Sequence, residues 1–585
     1  MLHQSFKLSS ALCCLVLQLC CMPSAKSTQE IREPEAATGL HKKQAVNSEK
    51  YMIVAANPYA SKAGLSMLEK GGSAVDAAIA AQLVLTLVEP QSSGIGGGTF
   101  MLHWHKSNKQ LTSFDGRETA PAQASSDLFL SEQGEALPWR EAVVGGKSVG
   151  VPGLLAAMHK AHQQFGVLPW NILFNPAITL AEQGFIVSPR LEKLLAMNFN
   201  PGIHILPEIK QYFSPNGQGV KAGDRLKNPK LAKALNSIAN QGIDVFYNGW
   251  LAKKIVEKVQ HAMILPGLLT LADMKNYQAK ERPALCGPYH QYNICGMAPP
   301  SSGAVSVIQI LAQLEQFNLS QYPANNIDAT HLFTQSSRLA FADRGQYIAD
   351  SDFVSVPVKG LLASDYIAKR TALIDIQKDM GKASAGEPND SEALADDNAI
   401  EKPSTSHLVV VDKQGNAVSM TSSIENGFGS ALMVEGFILN NQLTDFSLDP
   451  KRDGLLVANR VQPLKRPRSS MAPTMVFNAD NSLRLVIGSP GGSRIINYVA
   501  HTIIGVLDWQ LNIQQAINMP KVTNRNFVTS LEVGSDITSL KPALEARGHK
   551  VKIRSLNSGL HGIELTKEGL IGGADPRREG LALGH

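Results

Sequence analysis

Residues 402–447 read KPSTSHLVVVDKQGNAVSMTSSIENGFGSALMVEGFILNNQLTDFS, and the two apolar runs inside them decide the fold. Positions 407–411 predict a strand, Lys413, Gln414 and Gly415 a three-residue hairpin loop with Gly where φ is positive, and 417–423 the returning strand. A loop centred on Gln414 sets Thr405 directly opposite Ser423, so two hydroxyls face each other where the hairpin begins. Ser and Thr at a strand start are ordinary by themselves, and the pattern needs the rest of the chain to acquire meaning.

Working outward, Thr405-Ser406-His407 ahead of VVVDKQGNAVSMT resembles the segment at which γ-glutamyltranspeptidases (glutathione hydrolases) cut their own precursor. Matching blocks extend from near residue 50 to Asp575-Pro576-Arg577. The resemblance implies an α/β (α+β) fold, the four-layer αββα sandwich of the N-terminal nucleophile hydrolases, with two packed, mainly antiparallel sheets. It implies a cut between Ser404 and Thr405, a large chain of residues 26–404, a small chain of residues 405–585, and a heterodimer of the two. Thr405 becomes the nucleophile. A hydroxyl is weak in that role until a base stands beside it, and the α-amine freed by the cut supplies one. The reference pKa of such an amine, roughly 7.7–8.0, leaves a substantial neutral fraction near neutral pH. His407, two residues on and on the same strand face, is the rival base.

The whole chain sets the frame. Its 585 residues and 44% hydrophobic content support a large core, and a net charge of +5 with both signs spread along the chain gives no basic stripe for nucleic acid. Lys7 followed by an apolar run over 11–22 has the form of a secretory signal (residues 1–25), too short for a membrane span. The mature protein is therefore expected to be exported, periplasmic or secreted. Cleavage after Ala25 fits, although Pro23 is a poor match; a lipoprotein anchor is the alternative, and Leu17-Gln18-Leu19-Cys20 lacks the small residue it requires. Cys13, Cys14, Cys20 and Cys21 fall in the leader, leaving Cys286 and Cys295, placed symmetrically about His290-Gln291. A disulfide between them is chemically allowed in an exported protein, whereas Pro288 and the closeness of hairpin pairs count against it.

Ser73-Ala74-Val75-Asp76 predicts a capping box opening an apolar helix to Val88, after a helix over 60–70 stopped by Gly71-Gly72. The run Gly94-Ile95-Gly96-Gly97-Gly98 lacks the third Gly of a dinucleotide fingerprint and any following Gly-Lys-Ser/Thr, which favours close backbone approach over phosphate binding. His103 and His105 alternate on a strand without a third ligand nearby, so no metal is expected, and no cofactor. Gly150-Val151-Pro152-Gly153 and Ala340-Phe341-Ala342-Asp343-Arg344 match family blocks and are expected on scaffolding helices. Residues 383–402, acidic and poor in large apolar side chains, are expected to be mobile.

By the same resemblance, Arg117 in Phe114-Asp115-Gly116-Arg117-Glu118 grips the substrate α-carboxylate, a role its planar guanidinium suits. Ser469 and Ser470 share that carboxylate, and Asp445, on an expected strand with Gln442, binds the α-ammonium. Glu425, where many members carry Asn, adds a second carboxylate. Gly491 and Gly492, between a buried strand over 483–488 and an apolar helix, form the oxyanion hole, and Ser423 orients Thr405. Residues 447–468 correspond to a lid loop and are shorter than in well-lidded members. The activity implied is transfer of a γ-glutamyl group from glutathione or related compounds to water or to an amino acid or dipeptide acceptor. A glutaryl (cephalosporin) acylase of the same superfamily is the nearest alternative, and an uncleaved γ-glutamyl-peptide binding protein the alternative from another class.

Overall fold

In the computed structural model, residues 37, 42–397, 399, 401–402 and 404–585 are described; the expected leader and its four cysteines lie outside them. The hairpin forms as its loop dictates: Ser406–Val411 pairs antiparallel with Ala417–Ser423, Ser406 opposite Ser422 and His407 opposite Thr421. One step further along this register, Thr405 faces Ser423.

This hairpin is the centre of a seven-stranded antiparallel sheet in the order Leu581–Gly584, Met52–Ala55, Ser406–Val411, Ala417–Ser423, Gly98–His105, Gln110–Gly116 and Lys280–Arg282. A second antiparallel sheet runs Val46–Ser48, Gly569–Ala574, His561–Thr566, Leu483–Gly488, Thr474–Phe477, Tyr292–Gly296 and Leu285–Tyr289. The hairpin strands are apolar on both faces because both are covered. Leu408, Val410, Val418 and Met420 pack toward the helices Pro58–Glu69 and Ala74–Val88. Val409, Val411 and Ala417 point the other way, into a core with Met475, Val486 and Ile563 of the second sheet. The helices Gly303–Leu314, Ile327–Tyr347 and Ile495–Leu507 cover the outer face of that sheet through Ile294, Val476, Leu485 and Ile487. The result is the expected αββα stack.

Local signals hold where they are short-range. Ser73 and Asp76 form a reciprocal capping box at the start of Ala74–Val88, satisfying two N–H groups that the helix leaves free. Glycines 96 and 97 mark close approach: a Cβ on Gly96 would lie 2.2 Å from the Ile438 carbonyl oxygen, and one on Gly97 2.1 Å from that of Ser423. Cys286 and Cys295 stand opposite each other across the turn and are joined as a disulfide, so Pro288, paired with Asn293, does not keep the strands apart.

Two expectations are corrected. Gly150 to Gly153 precede a helix rather than lie in one: Val151 bridges Thr119, and the helix starts at Leu154, where the N–H groups of Gly153 and Leu154 both reach the Gly97 carbonyl at 3.0 Å. Pro152, without an N–H, suits an entry point and not a helix interior. The described residues of the acidic segment 383–402 are held against the body. The Ala395 N–H donates to the Leu456 carbonyl at 3.0 Å, Asp397 pairs with Arg468 at 2.8 Å, and Glu401 is buried. Its small side chains let the backbone lie close, and its carboxylates meet arginines that composition alone does not reveal.

Candidate active site

Thr405, Ser423, Gly492, Arg117, Glu425, Gln442, Asp445, Ser469 and Ser470 all line one small cavity of about 20 Å³, and Gly491 adjoins Gly492. The odd-numbered hairpin positions face the inter-sheet side, which brings Thr405 and Ser423 to the end of the second sheet where Leu483–Gly488 stops. Thr405 Oγ1 lies 3.4 Å from Ser423 Oγ and also contacts the Ser404 carbonyl oxygen. Ser423 Oγ donates to that same carbonyl at 3.0 Å and accepts from the Glu425 N–H at 2.8 Å. The Ser404–Thr405 peptide thus sits with its carbonyl polarised by one hydroxyl and addressed by another. Gly491 and Gly492 have φ of 137° and 57°, a region that glycine enters freely and other residues do not. A side chain at Gly491 would also meet the Tyr498 ring at 2.8 Å. The helix beyond them begins at Ile495, following a short 3₁₀ turn over Gly492–Arg494.

At the other end of the cavity, Arg117 follows the strand Gln110–Gly116 and is fully buried. It forms an ion pair with Asp445, donates to the carbonyls of Pro467 and Arg468 at 3.2 and 3.0 Å, and lies 3.6 Å from Glu118. The residue expected to hold a carboxylate and the one expected to hold an ammonium pair with each other, the arrangement that an α-amino acid head group would complement with its charges reversed. Asp445 does not lie on a strand. Gln442–Asp445 is a 3₁₀ turn, because Asn440 Oδ1 accepts from the Gln442 N–H at 3.0 Å while its amide donates to the carbonyls of Gly96 and Gly150. Glu425, with φ of 76°, reaches Asn441 at 3.3 Å, and burial followed by the charge of Asp445 pushes its carboxyl well above the usual range. Burial raises Asp445 to about 6 against the pull of Arg117. Gln442 is buried with both amide atoms unpartnered among the described residues, ready for a ligand.

His407 is not part of this cavity. Its Nδ1 lies 2.8 Å from Thr421 Oγ1, its ring fills the space beside Gly488, and burial, with His561 nearby, holds it well below its ordinary pKa. Sequence reasoning missed three site residues instead: Glu401, Arg344 and Arg468. Glu401 lines the cavity, its Oε2 accepts from Ser470 Oγ at 2.5 Å, and it pairs with Arg344 and, at 3.3 Å, with Arg468. Arg344, on the helix Ile327–Tyr347 that was assigned to scaffolding, also donates to Ser470 Oγ at 2.7 Å. An arginine inside the Ala340 to Arg344 block was the available signal, since an arginine is almost never fully buried without a partner.

The chain as a whole is similar to several known proteins. The chain is 38% identical over 548 residues to the glutathione hydrolase proenzyme of Bacillus subtilis (strain 168), covering 91% of each. Among solved structures it superposes on cephalosporin acylase from Bacillus halodurans with a TM-score of 0.82 and 26% identity, over 94% of this chain and 99% of that one. It matches the γ-glutamyltranspeptidase of Helicobacter pylori with a TM-score of 0.53 and 33% identity, over 58% of this chain and 94% of that one. The sequence pattern of the gamma-glutamyltranspeptidase family covers residues 60–585, and the chain belongs to that family.

Proposed function

We propose that the chain cuts itself between Ser404 and Thr405 and then moves γ-glutamyl groups from glutathione and related compounds to water or to an amino acid or dipeptide. The observation that carries this reading is the Ser404 carbonyl held between Thr405 Oγ1 and Ser423 Oγ, in one cavity with Arg117, Asp445 and Ser470. In the first step Thr405 Oγ adds to the Ser404 carbonyl carbon, the C–N bond breaks, and the hydroxyl proton ends on the Thr405 nitrogen. Water then hydrolyses the resulting ester, leaving a Ser404 carboxylate and a free Thr405 amine. In turnover that amine takes the Oγ proton as Oγ attacks the γ-carbonyl, and passes it to the departing amine. The Gly491 and Gly492 N–H groups stabilise the oxyanion, and water or an acceptor amine releases the acyl group. Residues 26–404 and 405–585 remain together as a heterodimer, since strands of both build each sheet. The leader-like N-terminus and the Cys286–Cys295 disulfide both support an exported, periplasmic or secreted enzyme. Among the described residues no helix is long and apolar enough to cross a membrane.

The near-complete superposition on a cephalosporin acylase favours a second reading, glutaryl transfer. The two donors differ by one α-ammonium, so paired rates on γ-glutamyl and glutaryl anilides separate them. A preference of at least about a hundredfold for the γ-glutamyl anilide, roughly 2.7 kcal/mol, is expected. Equal rates would promote the acylase.

The acid pair makes donor binding pH-dependent. Asp445 must be ionised to meet the ammonium, and burial has raised it to about 6. Donor KM is therefore expected to be flat above pH 7 and to climb by up to about tenfold per unit as pH falls below 6. A KM unchanged between pH 7 and 5 would remove Asp445 from ammonium binding.

A further inference from the structure

The segment just before the Ser404–Thr405 bond is held by buried charges. Glu401 stands four residues ahead of Thr405 and is buried, a placement that costs a carboxylate its hydration unless cations replace it. Arg344 and Arg468 do so, and Ser470, one of the two serines read as carboxylate ligands, donates to its second oxygen at 2.5 Å. Burial opposes ionisation, yet the two arginines outweigh it and hold Glu401 at about 2. Further along, Ser404 Oγ donates to the Gln91 carbonyl at 2.7 Å. The segment is thus tied on both sides of Lys402, and its carboxylate lies where a ligand carboxylate would meet Ser470. Glu401 and Ser404 line the same small cavity as Thr405, Ser423 and Ser470.

We propose that Glu401 is the positioning residue for the cut: locked between Arg344, Arg468 and Ser470, it holds Ser404 against Thr405 and Ser423, and it fills the place of a ligand carboxylate until the chain is severed. This rests on the self-cleavage reading above. The reacting atoms must meet repeatedly in one geometry, and an extended segment free to move loses most such encounters. Once the C–N bond is broken, the tie between Glu401 and Thr405 is gone, and a donor carboxylate competes for the same arginines and Ser470 on equal terms. Arg344 and Arg468 then become specificity residues of the mature enzyme.

The test follows cutting over time after cell-free synthesis of the full chain, on denaturing gels, for wild type, Glu401→Gln and Asp397→Asn. Glu401→Gln keeps the shape and loses the charge; it should be cut at least about tenfold more slowly. Once cut and purified, its KM for a γ-glutamyl anilide should not exceed that of wild type, because Glu401 competes with the donor carboxylate for Arg344, Arg468 and Ser470 and does not bind the donor itself. Asp397→Asn removes a different buried carboxylate from the same Arg468, one that does not touch Ser470, and should be cut at the wild-type rate. Wild-type cutting kinetics in Glu401→Gln, or equal slowing in both variants, would overturn the assignment to Glu401 while leaving self-cleavage intact. A wild-type chain that stays whole would overturn the self-cleavage reading itself, and the proposal with it.

Discussion

Thr405→Ala is expected to leave the chain in one piece and to lower turnover by at least about 10⁴-fold, given that removing the nucleophile of a serine hydrolase costs on the order of 10⁶ in kcat. The reason lies in how few groups address the Ser404 carbonyl. Thr405 Oγ1 contacts it, while Ser423 Oγ, at 3.0 Å, donates to the carbonyl oxygen and accepts from the Glu425 N–H. In the proposed reaction, without Oγ1 no ester would form, no chain end would be released, and no α-amine would be freed to serve as base. The fold should survive, because the lost atom bonds only within this cluster and Ser423 keeps both of its other partners. A stability change of about 1 kcal/mol or less is expected from losing one such hydrogen bond. Intact mass and N-terminal sequencing decide the matter: wild type should give a small chain beginning with Thr405, and the variant a single species. A Thr405→Ala chain that matures by the same cut would remove this residue from the mechanism.

Asp445→Ala is expected to collapse the preference for γ-glutamyl over glutaryl donors from about a hundredfold to within a few-fold, a loss of roughly 2 kcal/mol or more of discrimination. Asp445 is the more readily ionised member of the carboxyl pair with Glu425, and it is buried against Arg117. A site arranged for an ammonium leaves its acid poorly paired when the ligand lacks one, which is the source of the discrimination. Removing Asp445 also strands part of the Arg117 charge, leaving Glu118 at 3.6 Å as its nearest counter-ion, so some instability accompanies the change. Asp445→Asn separates the two effects, since it keeps the hydrogen-bonding shape and deletes the charge. Retained hundredfold preference in a folded Asp445→Asn enzyme would move ammonium recognition to Glu425 and Gln442.

Several features are legible in the sequence because the interactions that create them are local. The length of the 413–415 loop determines the register that sets Thr405 against Ser423, and a one-residue slip would have sent every hairpin side chain to the wrong face. Ser73 and Asp76 announce a helix start three residues apart. The pairing of Cys286 with Cys295 follows from the turn between them, although only the assembled strands show that Pro288 is tolerated.

The carboxylate end of the site was decided by the tertiary structure alone. Arg344 and Ser470 are 126 positions apart, and Glu401 joins them from a stretch whose composition reads as a solvated tail. Asn440 looks like a strand residue until its side chain is seen bonding Gly96 and Gly150. His407 has the right spacing for a base, yet Thr421 and the close wall at Gly488 claim its ring. Hairpin register and helix caps are written in spacing because neighbours along the chain satisfy them. Buried charges are satisfied by whichever distant group the fold delivers, so their partners emerge only once four layers have closed around them.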